Sequence, residues 1–164
     1  MKRKLLTLAL ATALCCPFFN TTFADEFVQN ADATVRVEKP SEASNASNAT
    51  FTGAVKHLSL FGTTDETTYT GSYVIFSPGS RSFCHTHPGG QRLIVVKGTL
   101  WTGTWNGEKT IAHEGDSVWC PVGVKHWHGA PPDEECIQMT LTEMRNGKNV
   151  TWMEPVTDEQ YNAK

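Results

Sequence analysis

The chain has 164 residues, 14 Lys and Arg against 17 Asp and Glu, a formal net charge of -3 at pH 7 and 39% hydrophobic residues. That length and balance fit one small domain with a single core. Without a Lys/Arg cluster it lacks the electrostatic footprint of a nucleic-acid binder or of a protein held on an anionic membrane.

Residues 1–24 read as a secretory signal peptide: basic Lys2-Arg3-Lys4, an apolar stretch from Leu5 to Phe19, and small residues before a cleavage expected after Ala24. The apolar stretch falls short of the roughly 18 residues that a membrane span needs, so no membrane association is expected once it is removed. Cleavage leaves 140 residues, and losing Lys2, Arg3 and Lys4 takes the formal charge from -3 to -6. The expected location is periplasmic or secreted, an oxidising compartment. The remaining part holds Cys84, Cys120 and Cys136, an odd number with no CxxC pair. At most one internal disulfide can form, with Cys120 to Cys136 conceivable; otherwise all three are buried thiols acting as small hydrophobes.

Residues 25–50 carry no sustained period and end in "KPSEASNASNAT", which reads as a flexible leader. Asn45-Ala46-Ser47 and Asn48-Ala49-Thr50 fit the glycosylation acceptor pattern, which matters only on a eukaryotic secretory route. From Phe51 onward the text breaks into short β-prone runs: "AVKHLSLF", "GSYVIFSPG", "SFCHTH", "RLIVVKG", "LWTGTWNGEKTIA", "DSVWCPVG", "KHWHG" and "ECIQMTLTEM". Many short strands with no amphipathic helix between them predict an all-β, single-domain barrel or sandwich over residues 51–164, with a C-terminal extension. Asn106-Gly107 is a two-residue hairpin signal. Ser77-Pro78-Gly79, Pro88-Gly89-Gly90, Glu114-Gly115-Asp116 and Pro121-Val122-Gly123 supply further turns. Near the end, Thr157 is placed to cap one helical turn.

His85 and His87 stand at i and i+2 of an expected strand, so their side chains leave the same face, whereas Cys84 should point the other way. The turn after His87 returns the chain at Gln91, and His126 and His128 repeat the i, i+2 spacing after a Pro-x-Gly turn. A lone histidine is more often a satisfied or exposed imidazole. Several converging from two hairpins favour a transition metal, with His85, His87 and His126 as ligands and Gln91 either a fourth ligand or a hydrogen-bond partner of bound water. Trp127 should face away from these imidazoles, toward a subunit contact. Arg81, two strand steps from His85 at the same parity, is a candidate contact for a substrate anion. Val74, Phe76 and Phe83 are candidates to shape an aromatic-accepting cavity or to form plain core.

These spacings carry a resemblance. Gly79-(x)5-His85-x-His87-(x)3-Gln91-(x)6-Gly98 resembles the first cupin motif, with glutamine where most members have glutamate; Gly115-(x)5-Pro121-x-Gly123-(x)2-His126 resembles the second, with Ala130 where asparagine is usual. The similarity covers about residues 51–160 and implies a cupin, an RmlC-like jelly-roll β-barrel. "HTHPGGQ", "KHWHGA" and "WMEPVTDEQY" are similar to small single-domain bacterial manganese-dependent hydroxynitrile lyases. That resemblance implies a divalent metal, manganese first with iron, zinc, nickel, cobalt or copper as alternatives, on His85, His87, Gln91 and His126. It also implies a homodimer or higher homo-oligomer, a small-molecule substrate, and His128 as a catalytic residue beside the metal that handles the proton or cyanide. Orienting a ligand is the plainer role for His128.

Neutral Gln91 in place of glutamate leaves a divalent ion its full +2 charge, which favours anion binding and Lewis-acid chemistry. The resemblance to hydroxynitrile lyases makes cleavage or formation of a small 2-hydroxynitrile the leading expectation. The alternatives are a metal-dependent dioxygenase or oxidoreductase of small organic substrates, and a non-catalytic cupin that binds a metal or small ligand.

Overall fold

The computed structural model describes residues 34–163. The expected signal peptide and the first part of the leader lie outside that range. The chain divides into a unit of residues 1–36, described only at 34–36 and irregular there, and a unit of residues 37–164 that carries every element below.

Among the described residues the elements are, in chain order, β1 (Ser44–Asn45), β2 (Phe51–Thr52), β3 (Val55–Phe61), β4 (Tyr69–Phe76), β5 (Arg81–Ser82), β6 (His85–Thr86) and β7 (Gln91–Lys97). They continue with β8 (Thr99–Thr104), β9 (Lys109–His113), β10 (Ser117–Cys120), β11 (His126–Gly129), β12 (Cys136–Glu143), β13 (Thr151–Trp152) and a single helix, α1 (Asp158–Asn162). The expected all-β class holds. One sheet runs β1-β3-β4-β12-β7-β10; the other runs β13-β6-β11-β5-β2, with β8 pairing β11 and β9. No described helix is long and apolar enough to cross a membrane.

Part of the expected leader is built into the first sheet: Ser44 and Asn45 register with His57 and Lys56, and Ser41 N donates to Ser59 O. Its composition reads as linker because an edge strand needs only backbone pairing on one side. The Asn106-Gly107 hairpin exists, but it closes as a type I turn. Gly107 N donates to Thr104 O, Gly107 takes φ 95°, and Asn106 is not left-handed. That is the three-residue loop with a glycine bulge rather than the two-residue loop.

The interior holds two kinds of lining. Val55, Val74, Phe76, Leu93, Val95, Leu100, Ala112, Cys120, Ala130 and Cys136 form the apolar end. Strand β12 supplies the other kind with an inverted alternation: Gln138, Thr140 and Thr142 are buried, while Ile137, Met139 and Leu141 on the opposite face are only half-buried. Polar residues at the inward positions of a central strand mark a chamber built to be polar.

A second apolar cluster of Cys84, Trp127, Val156 and Tyr161, with Trp101 against it, lies on the outer face of the second sheet. Trp127 thus faces away from the imidazoles as expected, but its own C-terminal segment covers it instead of a partner subunit. Tyr161 OH donates to Ala130 O at 2.6 Å, and Thr157 caps α1 with a reciprocal capping box. Arg81 belongs to this outer lock too: it donates to Val156 O and pairs with Asp158 at 2.6 Å, its guanidinium 4.6 Å from the Tyr161 ring centre. The expected substrate contact at Arg81 is therefore corrected. Two residues break the strand between β5 and β6, so the parity shared by Arg81 and His85 does not carry across. Among the described residues, Cys84, Cys120 and Cys136 are free and buried, with no disulfide between Cys120 and Cys136.

Candidate metal centre

Two hairpin-like returns bring the histidines together. His126 on β11 registers with His85 on β6, and Trp152 of β13 flanks His85 on its other side. Across the barrel, Gln91 at the head of β7 lies between Cys120 of β10 and Thr142 of β12. Gly90 permits the return from His87 to Gln91: it takes φ 78°, and a Cβ there would stand 2.3 Å from the Trp119 ring. Only glycine fits both conditions.

The rings of His85 and His126 are 4.4 Å apart by centroid, those of His85 and His87 5.0 Å, and those of His87 and His126 5.4 Å. His128 is 5.0 Å from His85 and 6.0 Å from His126. All five expected residues come together, each at least nine-tenths buried. The ligand atoms of His85, His126 and His128 lie within 4.8 Å of one another, a group that does not include His87, so proximity alone favours His128 over His87.

Hydrogen bonding instead sets His128 apart. His85 Nδ1 donates to Phe83 O at 2.8 Å, His126 Nδ1 to Val124 O at 2.9 Å, and His87 Nδ1 to Asn149 O at 2.5 Å. A carbonyl only accepts, so each of these three nitrogens carries the proton and each Nε2 is left with a bare lone pair. Gln91 is oriented the same way: its Nε2 donates to Thr142 Oγ1 at 3.2 Å, which turns Oε1 free. His87 Nε2, His126 Nε2 and Gln91 Oε1 are buried without a protein partner. Buried polar atoms are rarely left so, and nitrogen and amide-oxygen donors facing one space fit a divalent transition metal.

Burial also keeps the imidazoles neutral, as ligands must be. It pushes His126 down to about 4, holds His87 below its ordinary value, and holds His85 and His128 well below it, with repulsion from neighbouring imidazoles adding to all but His87.

While His126 lines a separate hollow on its other side, a cavity of about 250 Å³ lies against His85, His87, Gln91 and His128. Thr70, Ser72, Thr140 and Thr142 give it a hydroxyl wall; Phe51, Val74, Val150 and Trp152 give it an apolar one, and no carboxylate lines it. Val74 thus plays the expected part. Phe76 instead lies in the core with its ring edge-on to His128 at 5.7 Å, and Phe83 lines a separate outer hollow. Sequence reasoning passed over His57 at the cavity wall, Thr142 behind Gln91 and Gln138 behind His128. The signal for the last two was the run "QMTLT", polar at every second place.

A family model for the cupin domain matches residues 72–141. The chain is 46% identical over 111 residues to (R)-mandelonitrile lyase of Granulicella tundricola, covering 68% of this chain and 85% of that one. Among solved structures, a cupin-like protein of Thermotoga maritima superposes with a TM-score of 0.67 at 33% identity, over 79% of this chain and 95% of that one. A cupin-2 domain from Rhodospirillum rubrum shares the fold, with a TM-score of 0.56 at 20% identity over 79% and 83%. Fold, site and sequence agree: the chain belongs to the cupin family and within it is related to the mandelonitrile-lyase-like members.

Proposed function

We propose that this cupin is a metal-dependent lyase that cleaves or forms a small 2-hydroxynitrile. His85, His87, Gln91 and His126 would hold the metal, and His128 would stand beside it as the catalytic residue. The observation that carries the reading is three clustered imidazoles whose Nδ1 atoms are each held by a backbone carbonyl, with one free amide oxygen beside them and no carboxylate lining the adjoining cavity. The similarity to (R)-mandelonitrile lyase supports the reaction class.

When bound, a divalent metal held only by neutral donors keeps its full charge and polarises a hydroxyl or nitrile. The chain does the rest. The hydroxyl wall of Thr70, Ser72, Thr140 and Thr142 suits the polar end of a hydroxynitrile, and Phe51, Val74, Val150 and Trp152 suit its organic group. In the cleavage direction the hydroxyl gives up its proton, the oxygen electron pair forms the carbonyl, the carbon–carbon pair leaves with cyanide, and the proton given up by the hydroxyl ends on cyanide, so that a carbonyl compound and hydrogen cyanide leave with no net proton exchanged. His128 faces this charge and stabilises or protonates it.

Manganese is the metal we favour over iron, zinc, nickel, cobalt or copper, which the same donors accept. We further read the protein as exported, on the sequence of residues 1–24, and as a homodimer or higher homo-oligomer. In support of the latter, Leu58, Tyr73, Met139 and Ile94 lie in register across the outer face of the first sheet, all half-buried.

The test is elemental analysis of protein from its native compartment, followed by hydrogen cyanide release from mandelonitrile and a panel of smaller hydroxynitriles. Stoichiometric metal with cyanide release is expected. Oxygen uptake on organic substrates with no cyanide released would overturn the lyase reading.

A further inference from the structure

His128 differs from its three neighbours in one respect: its Nδ1 meets a side chain instead of a carbonyl. Gln138 Nε2 lies 2.9 Å from His128 Nδ1, and both residues are buried, Gln138 completely. With the Gln138 amide in this orientation its nitrogen donates, so Nδ1 accepts and carries no proton, and Gln138 Oε1 is left buried without a protein partner. The ring's proton then sits on Nε2, the atom with no protein partner at the cavity. Ser82 Oγ, accepting from the His128 backbone N–H at 3.1 Å, and the edge-on Phe76 ring hold the imidazole in place.

We propose that Gln138 is a positioning residue that fixes His128 as the Nε2–H tautomer, which bars it from the metal and makes it a hydrogen-bond donor to the nitrile. This rests on the proposed placement of His128 beside the metal. It also narrows the role given above. A neutral imidazole whose Nδ1 is occupied by an amide donor has no second proton to release, so His128 stabilises departing cyanide by donating a hydrogen bond and does not protonate it. Three neighbouring histidines with the opposite tautomer provide an internal contrast.

The tautomers are readable without turnover. In nitrogen-15-labelled, metal-free protein, proton–nitrogen correlations through the rings should put the proton on Nδ1 of His85, His87 and His126 and on Nε2 of His128. A His128 protonated on Nδ1 would overturn the proposal. Gln138→Glu presents an acceptor alone and should move the His128 proton to Nδ1. Gln138→Met, of similar length and without either group, should leave both tautomers populated and lower kcat about tenfold or more with KM little changed. His128 staying wholly Nε2–H in both variants would remove any role for Gln138. Zinc added to the wild-type sample should shift Nε2 of His85, His87 and His126 and leave the His128 N–H intact; zinc replacing that proton would refute the exclusion from the metal. Zinc that moves none of the four rings would sink the metal reading itself, with the Gln138 assignment still decided by the metal-free spectra.

Discussion

His126→Ala removes one of the three imidazoles turned inward by a backbone carbonyl, and His128→Ala removes the one turned by a side chain. The first should abolish stable metal occupancy in a dialysed sample. The second should keep the metal and lose most of the turnover, which metal content and cyanide release measured on the same preparations will separate. Protonation of these rings gives a second prediction at this scale. His126 falls from 6.5 to about 4 on folding because it is buried, so between those values the unfolded chain binds a proton that the native one does not. The stability that these rings govern in the metal-free protein should be unaffected well above pH 6.5 and fall as pH drops below it, the His126 contribution levelling off below about 4 while His85 and His128, also held well below their ordinary value, add to the loss. His126 alone costs on the order of 3 kcal/mol over that window. Urea melts at pH 7 and pH 4.5 would check it, a flat profile refuting the neutral cluster. Residue by residue, the convergence of His85, His87, Gln91, His126 and His128 was legible because imidazoles recur at strand spacing beside turns. The pairing of Gln138 with His128 was not, because the alternation in "QMTLT" marks Gln138 as inward-facing but not which ring it meets.

At the scale of elements, β11 runs so close to β5 that a Cβ at Gly129 would stand 2.4 Å from Ser80 O. Gly129→Ala should therefore push β11 away and destabilise by about 1–3 kcal/mol, carrying His126 and His128 off their places. A lowered melting temperature with weakened metal binding is the expected pair of results. The C-terminal helix gives a milder case. Thr157 Oγ1 accepts from Gln160 N at 3.2 Å, so Thr157→Ala should cost about 1 kcal/mol, seen in a denaturant midpoint, while the cavity on the other side of the sheet keeps its activity. The capping residue and the turn glycines could be read from sequence because their chemistry is local. The side on which Arg81 lies could not: strand alternation extrapolates only while the strand is unbroken, and Phe83-Cys84 interrupt it between β5 and β6.

For the whole molecule, the outward row of Leu58, Tyr73, Met139 and Ile94 explains why the sequence shows apolar residues on both faces of β4 and β7, a pattern that blurs inside and outside when read alone. Light scattering should give an oligomer mass at micromolar concentration, and Met139→Lys, charging the middle of that row, should shift it toward the monomer. A monomeric wild type would refute the interface. The thiols are a property of the fold as a whole. Burial pushes Cys120 and Cys136 up to about 12 and raises Cys84 as well, so thiolate is scarce at neutral pH. A thiol reagent should titrate three groups in denaturant and react far more slowly with the native protein.

The anchors of the imidazoles also bear on how such a centre changes over generations. A peptide carbonyl is present whatever side chain its residue bears, so no single codon change deletes the groups that orient His85, His87 and His126. The support beneath His128 is encoded by one glutamine and can be rewritten by one nucleotide. Variation at position 138 is thus the cheapest route by which descendants of this barrel would change the tautomer of His128 while keeping the orientation of the other three rings.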